Sequence, residues 1–299
     1  MIINKVIVLG AVDQSAIDIL AQRPDIEFQI IEDVSESNLC RVVKDADAIL
    51  VRTTTISEKV IQEADKLKVV SRHGVGFDNI DVAALTRRGI PLALAVGSND
   101  DAVAEQAMFL ILALSKQGLL YHAAVHTSQF DFRQRPSSIS LEGKSILIVG
   151  FGRTGAQLAA RATAFKMTVY GLDPYIDPAL IDNTGASRVR ELNDILPDVD
   201  MVSLHCPLTE ETRYMINKVT LGQMKRSAFV INTARGGIVN ECDLLQALRT
   251  HRIAGAGLDV FEEEPPHQNN PLLQLPNVVL SPHCAGVTHE TLVKMGQLS

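Results

Sequence analysis

The sequence predicts an α/β protein built of two doubly wound parallel-sheet lobes. Three observations carry that expectation. Short apolar runs alternate with helical stretches from the N-terminus to about residue 96, a second such series restarts at residue 145 with a glycine-rich turn, and in both series the conspicuous polar residues fall just past the carboxyl ends of the strands. At 299 residues the chain is long for one domain, and a chain of that size buries roughly 75% of its unfolded surface, so two lobes fit it better than one.

In the first lobe the strand candidates are residues 5–9, 26–31, 48–51, 68–71 and 90–95. Ser57 stands where an N-cap belongs before Val60 and Ile61, and Asp81 does the same for a helix over 82–88 that Gly89 ends. Sheets of this kind bind ligands beyond the carboxyl ends of their strands. The chain places Arg52 at one such end and Arg72-His73-Gly74-Val75-Gly76-Phe77-Asp78-Asn79 at the next, which makes both candidate substrate loops. Taken alone, Arg52 reads equally well as a surface arginine, and Gly74 and Gly76 as a plain turn.

A helix starts at Asp100 and Asp101, with acidic residues in its first turn. Its apolar run over 107–114 is hydrophobic nearly all round, which predicts burial on several sides and a position bridging lobes or subunits. From 118 to 143 the periodicity weakens, and Phe130-Asp131-Phe132-Arg133-Gln134-Arg135-Pro136 reads as an exposed arm whose two phenylalanines seek a partner.

Residues 145–149 form an apolar run that breaks at Gly150-Phe151-Gly152-Arg153-Thr154-Gly155 and passes into an Ala- and Leu-rich helix. This is the dinucleotide fingerprint, and each glycine has its own task. Gly150 permits the tight turn, Gly152 lets a pyrophosphate approach the backbone, and Gly155 lets the helix pack on the strand. Asp173, at the end of the next strand, supplies the carboxylate that accepts the ribose hydroxyls. Four more strand candidates follow, at 201–204, 228–231, 255–258 and 278–280, giving six strands in the Rossmann order 3-2-1-4-5-6.

Composition narrows the function classes. A net charge of −7 with no basic block argues against nucleic acid or an anionic membrane as partner. Cys40, Cys206, Cys242 and Cys284 show no Cys-x-x-Cys spacing, so free thiols in a reducing cytoplasm are expected, and no metal site. The first strand is too short for a signal-peptide core. The longest apolar run, 107–114, is far short of the ~20 residues a membrane span needs.

Three segments carry a resemblance: Asn232-Thr233-Ala234-Arg235-Gly236-Gly237-Ile238-Val239-Asn240-Glu241, the stretch from Gly255 through Asp259, Glu262, Glu263 and Glu264 to Pro265, and Ser281-Pro282-His283-Cys284-Ala285-Gly286. With them the chain resembles the D-isomer-specific 2-hydroxyacid dehydrogenases, in particular the phosphoglycerate dehydrogenase branch. The resemblance implies a Rossmann NAD-binding domain, residues 98–285, inserted into a flavodoxin-like substrate domain of residues 1–97 plus 286–299, with the active site in the cleft between them. It implies that Arg235 binds the substrate carboxylate and polarises the carbonyl, a role suited to a guanidinium's fixed fork of donors. Glu264 and His283 would be the acid–base pair, the carboxylate favouring imidazolium.

Cofactor contacts carry over onto Gly150, Gly152, Arg153, Thr154, Gly155 and Asp173. For the nicotinamide half they fall on Cys206, Pro207, Thr233, Ala234, Asp259, His283, Ala285 and Gly286. Substrate contacts fall on Arg52, Gly74, Val75, Gly76 and Arg235. His73 and His205 adjoin the cleft, and His122, His126, His251, His267 and His289 are expected at the surface.

NAD is the implied cofactor and a small 2-hydroxy or 2-oxo acid the implied substrate. Arg52 and Arg72 favour 3-phosphoglycerate, with hydroxypyruvate and glyoxylate open. A homodimer is expected through the helix over 101–114 and the arm. The chain stops at Ser299 soon after a last helix begins and carries no appended regulatory domain, so feedback through such a domain is not expected. The rival reading is an NAD(H)-sensing, corepressor-like interaction protein on the same fold.

Overall fold

The computed structural model describes residues 3–134 and 137–299. It divides into two compact units, Met1–Asn99 with Val287–Ser299, and Asp100–Gly286.

The first unit starts with β1 (Asn4–Leu9), α1 (Gln14–Ala21), β2 (Ile26–Ile31), α2 (Glu36–Val42), β3 (Ala48–Val51), α3 (Glu58–Glu63), β4 (Val69–Arg72), α4 (Val82–Arg87) and β5 (Leu92–Leu94). Its sheet has the order β2-β1-β3-β4-β5, the flavodoxin-like winding. Every pairing is parallel, with Leu9 opposite Val51 and Val51 opposite Arg72, so Gly10, Arg52 and His73 emerge along one edge. Ile7, Leu9, Ile49, Val51 and Val70 bury their side chains against Leu39, Ile61 and Leu85 from the helices. Ser57 and Asp81 cap α3 and α4 through hydrogen bonds to Val60 N and Ala84 N. The strand expected over 90–95 contracts to Leu92–Leu94, because Pro91 has no N–H to give to a ladder.

The second unit contains α5 (Asp100–Ser115), α6 (Gly118–His126), β6 (Ser145–Val149), α7 (Arg153–Ala164), β7 (Thr168–Leu172), α8 (Pro178–Asp182), β8 (Ser187–Arg188), α9 (Leu192–Ile195), β9 (Met201–Leu204), α10 (Lys218–Gln223), β10 (Phe229–Asn232), α11 (Glu241–Arg249), β11 (Gly255–Leu258) and β12 (Val278–Leu280). The chain then rejoins the first unit as α12 (His289–Leu298), which packs on α1.

The second sheet has seven strands in the order β12-β11-β10-β9-β6-β7-β8, not the six expected. The missed one, β8, is two exposed residues at the sheet edge with no apolar run to announce it. Counting from β6, the order is the Rossmann one with an added strand beyond the sixth. Val149 lies opposite both Leu172 and Leu204, and Leu204 opposite Asn232, so the turns after these strands open on one edge.

The region from 118 to 143 corrects a second expectation. Gly118–His126 is helical and a 3-10 turn covers Phe130–Gln134. Only Ala124 of that helix is buried, so its sequence never acquired the one-sided apolar stripe by which helices are recognised. Arg135 and Pro136, the end of the expected arm, lie outside the described residues. As expected, α5 is buried on several sides, at Ala104, Ala107, Met108, Leu110, Ile111 and Leu114. Among the described residues no single helix is long and apolar enough to cross a membrane, and α5 with α6 reach that test only as a pair bent by 60°.

Candidate active site

The glycine-rich turn sits where β6 leaves the sheet. Gly150 has φ +86°, and a Cβ there would lie 2.5 Å from the Cys206 backbone nitrogen, so only glycine lets β6 turn beside the segment after β9. A Cβ on Gly155 would come within 2.3 Å of the Gly150 carbonyl oxygen, which sets how closely α7 packs on the turn. Around Gly152 a Cβ would meet nothing within 4 Å, and no side chain caps the first turn of α7. The amides of that turn are thus left for an anion at the positive end of the helix. Arg153 is exposed and Thr154 half-buried at the same turn. Asp173 follows β7, its carboxylate oxygens accepting from Phe151 N (2.9 Å) and Tyr175 N (3.0 Å). The Thr233 hydroxyl is buried and has no partner among the described residues. A cradle without a cap, a fixed carboxylate beside it and an unsatisfied hydroxyl after β10 together fit a dinucleotide. Cys206 is no nucleophile, since burial pushes its thiol up to about 11. Pro207 beyond it is exposed.

Arg235 leaves β10 on a turn that Asn232 ties from both sides. The Asn232 amide donates to the Arg235 carbonyl (2.9 Å), and its oxygen accepts from Ala234 N (3.1 Å). The Arg235 guanidinium donates to the Ala234 carbonyl (2.6 Å). Gly236 then lies so near the segment after β11 that a Cβ would be 1.9 Å from the Phe261 carbonyl carbon and oxygen. That contact brings the turn of Arg235 against the loop that carries Glu264.

Glu264 Oε1 accepts from Phe261 N (3.0 Å), and Oε2 lies 2.5 Å from His283 Nδ1. The Glu264 hydrogen bond holds the His283 ring above its ordinary pKa and outweighs the opposing effects of burial and of the Arg235 charge. Burial alone would raise the Glu264 carboxyl, but the hydrogen bonds from His283 and the Phe261 N–H, with the nearby positive charges of His283 and Arg235, hold it below the usual range.

His283 itself sits in the left-handed region, φ 51°, on a turn tied to Asp259. Asp259 is fully buried, and its carboxylate accepts from Ser281 Oγ (2.5 Å), Cys284 N (3.0 Å) and Ala285 N (2.8 Å), while its carbonyl accepts from His283 N (2.7 Å). Gln106 of α5 donates to Ser281 Oγ (2.9 Å). Sequence reasoning singled out Asp259 for the cofactor and missed its hold on this turn. It also missed Asn232, Ser281 and Gln106. The first two lie inside the recognised segments, but Gln106 stands far away in the chain on a helix whose only visible pattern was apolar. Gly286 closes the turn and the unit.

The other two doubtful histidines are set apart by their charge state. Burial pushes His205 down to about 4, with Nε2 paired to Ser203 Oγ at 2.8 Å. His73 is fully buried, and burial, joined by the charges of Arg52 and Arg72, lowers it too. Burial thus moves both of these rings below the ordinary value of histidine, whereas Glu264 moves His283 above it. The remaining five histidines are all exposed.

In the first unit, Arg52 and the 72–76 loop lie on the edge where β3 and β4 end. Arg52 Nη1 is 3.4 Å from the Ala11 carbonyl, and Arg72 Nη1 donates to the His73 carbonyl. Gly74, φ +141°, has the Arg72 guanidinium folded over it, with Val75 and Gly76 half-buried beyond. The structure thus groups the candidate residues by unit: Arg52, Gly74, Val75 and Gly76 on one sheet edge, and Arg235, Glu264 and His283 with the nucleotide turn on the other.

Residues 108–285 match the family model described as D-isomer specific 2-hydroxyacid dehydrogenase, NAD binding domain. The chain belongs to that family. Over 295 residues it is 38% identical to D-3-phosphoglycerate dehydrogenase of Methanocaldococcus jannaschii, covering 98% of this chain and 56% of that protein. Over 272 residues it is 40% identical to glyoxylate reductase of Thermofilum pendens, covering 89% of this chain and 79% of that protein. Its fold superposes with a TM-score of 0.87 on D-lactate dehydrogenase from Aquifex aeolicus complexed with NAD and lactic acid, at 27% identity, covering 98% and 92% of the two chains. The chain spans about half the length of several of the curated phosphoglycerate dehydrogenases it matches. Within the family's NAD-binding domain lie both the glycine-rich turn with Asp173 and the Arg235, Glu264 and His283 cluster.

Proposed function

We propose that the protein is an NAD-dependent oxidoreductase that interconverts a D-2-hydroxy acid and its 2-oxo acid, with Arg235, Glu264 and His283 as its catalytic residues. The observation that carries this reading is the 2.5 Å contact of His283 with Glu264 beside Arg235. Among the histidines with a shifted pKa, this is the one whose pKa is raised. When bound, NADH supplies the hydride. Arg235 takes the substrate carboxylate with its planar fork of donors and keeps its charge throughout. His283, its Nδ1 held by Glu264, presents Nε2 to give a proton to the carbonyl oxygen as it gains charge, and recovers that proton in the reverse direction. Glu264 fixes the tautomer and stabilises the imidazolium, while Asp259 and Ser281 fix the backbone from which the ring projects.

The first unit is the proposed substrate domain, with Arg52 and the amides of 74–76 as substrate contacts. The names of the relatives support 3-phosphoglycerate or glyoxylate as the substrate; hydroxypyruvate, a 2-oxo acid of the same size class, is the further candidate. The test is NADH oxidation with glyoxylate, hydroxypyruvate and phosphohydroxypyruvate. At least one acid should be reduced, and His283→Ala should lose about 10²- to 10⁴-fold in turnover while still binding NADH. A wild-type protein that binds NADH but leaves every acid untouched would instead be a cofactor sensor.

We also propose a homodimer, formed through α5 and the segment around Phe130. Phe109, Phe130, Leu119 and Val125 present exposed apolar side chains there, which supports an interface. Light scattering should give twice the chain mass, and a monomeric mass at micromolar concentration contradicts it. Four free cysteines suit a reducing cytoplasm.

A further inference from the structure

The loop bearing Glu264 is held by a pair of carboxylates to which the proposed chemistry gives no part. Glu241 opens α11, and Glu262 lies two residues before Glu264. Each carboxylate takes the other's backbone N–H: Glu241 N donates to Glu262 Oε1 at 2.7 Å, and Glu262 N donates to Glu241 Oε1 at 2.7 Å. The second oxygens are engaged as well, Glu241 Oε2 by Asn270 Nδ2 (2.9 Å) and Glu262 Oε2 by the Tyr214 hydroxyl (3.1 Å). Two negative side chains side by side repel each other, so an ordinary loop would not choose this arrangement. Four donors, two of them backbone amides, offset the repulsion and fix the geometry.

The clasp's position gives it a consequence. Glu241 follows Arg235 along one short segment, through the 3-10 turn Gly236–Ile238. That segment is pinned to 214–217 by Tyr214 N to the Gly237 carbonyl (2.9 Å) and Ile216 N to the Ile238 carbonyl (3.1 Å). Glu262 begins the path to Glu264, and Gly236 already touches the Phe261 backbone. The reciprocal bonds therefore close a ring that ties the Arg235 turn to the Glu264 loop. The Glu264–His283 contact depends on where that loop stands, because a hydrogen bond of 2.5 Å weakens steeply when its acceptor drifts.

We propose that Glu241 and Glu262 are positioning residues that hold Glu264 against His283, so that they set the proton affinity of His283 without touching it. This rests on the catalytic roles proposed above, and the test separates the two. The His283 pKa is read by NMR titration of the ring in the full chain, with His283→Gln identifying the resonance, for wild type, Glu241→Ala, Glu262→Ala, Glu262→Gln and Glu264→Gln. This needs no substrate.

Both alanine variants should lower the His283 pKa toward the value in Glu264→Gln and not beyond it. Glu262→Gln should keep the wild-type value, since its carbonyl oxygen still accepts from Glu241 N and its amide can donate to the Tyr214 oxygen. In turnover, each unit of pKa lost should cut carbonyl reduction about tenfold on the alkaline limb, with NADH affinity unchanged. An unshifted His283 in folded Glu241→Ala and Glu262→Ala overturns the proposal, as does a shift in Glu262→Gln as large as in Glu262→Ala. If the pKa moves as described but no 2-oxo acid is reduced by wild type, the clasp stands and the proposed reaction falls.

Discussion

The role proposed for Asp173 bears most directly on cofactor choice. Its carboxylate is oriented by Phe151 N and Tyr175 N, so it cannot swing freely away from an added phosphate. Two like unit charges ~4 Å apart at an effective dielectric near 20 repel by about 4 kcal/mol, which sets the scale of the discrimination against NADPH. NADH should therefore be strongly preferred, and Asp173→Ser should narrow the gap in kcat/KM. Equal efficiencies with both cofactors in wild type would contradict the role. Residues of this kind were legible in the sequence because the fingerprint fixes where the acid must stand. Asn232 and Ser281 lie within the recognised segments, but their part was not legible, since a side chain that ties its own turn leaves no signature distinct from any polar loop residue. His73 and His205 are ambiguous in the sequence for a related reason: the letter His records nothing of the burial that lowers the pKa of these two rings or of the carboxylate that raises that of His283.

Among the elements, the most consequential contact is the passage of the Arg235 turn against the loop after β11. Gly236 leaves no room for any side chain, with the Phe261 carbonyl 1.9 Å from where a Cβ would stand. Gly236→Ala must push the two loops apart, and a displacement near 1 Å in a catalytic group can cost about 10²-fold. Reduction should fall by at least that much, with thermal unfolding measured beside it, and unchanged kcat/KM would show that the contact does not position the site. The strands that build both sheets were readable because buried parallel strands are short apolar runs ending at glycine or a polar residue. What escaped were β8, a two-residue edge with both side chains exposed, and α6, which buries only one alanine. Periodicity reports burial, and these elements have little of it.

At the scale of the whole molecule, each unit carries its own parallel sheet, with candidate ligand residues along one edge of each. The two windings, flavodoxin-like in the first and Rossmann in the second, follow from alternating strand and helix patterns. The nucleotide turn and the charged cluster of Arg235, Glu264 and His283 both belong to the second unit, so cofactor binding and proton transfer can be tested there against one set of residues. The most direct test of the central claim, that a Glu264-supported His283 gives and takes the substrate proton, is the pH dependence of kcat/KM in both directions for wild type and Glu264→Gln. If His283 plays that part, its raised pKa predicts that wild-type reduction should persist as pH climbs past the ordinary 6.5 of histidine and fall only through the higher folded-state value. Withdrawing the carboxylate charge lowers that value. The alkaline loss of reduction and the acid loss of hydroxy-acid oxidation should therefore both move to lower pH, by the same amount, because one group governs them. Profiles that stay where they are in Glu264→Gln, or that move in one direction of reaction alone, would contradict the account.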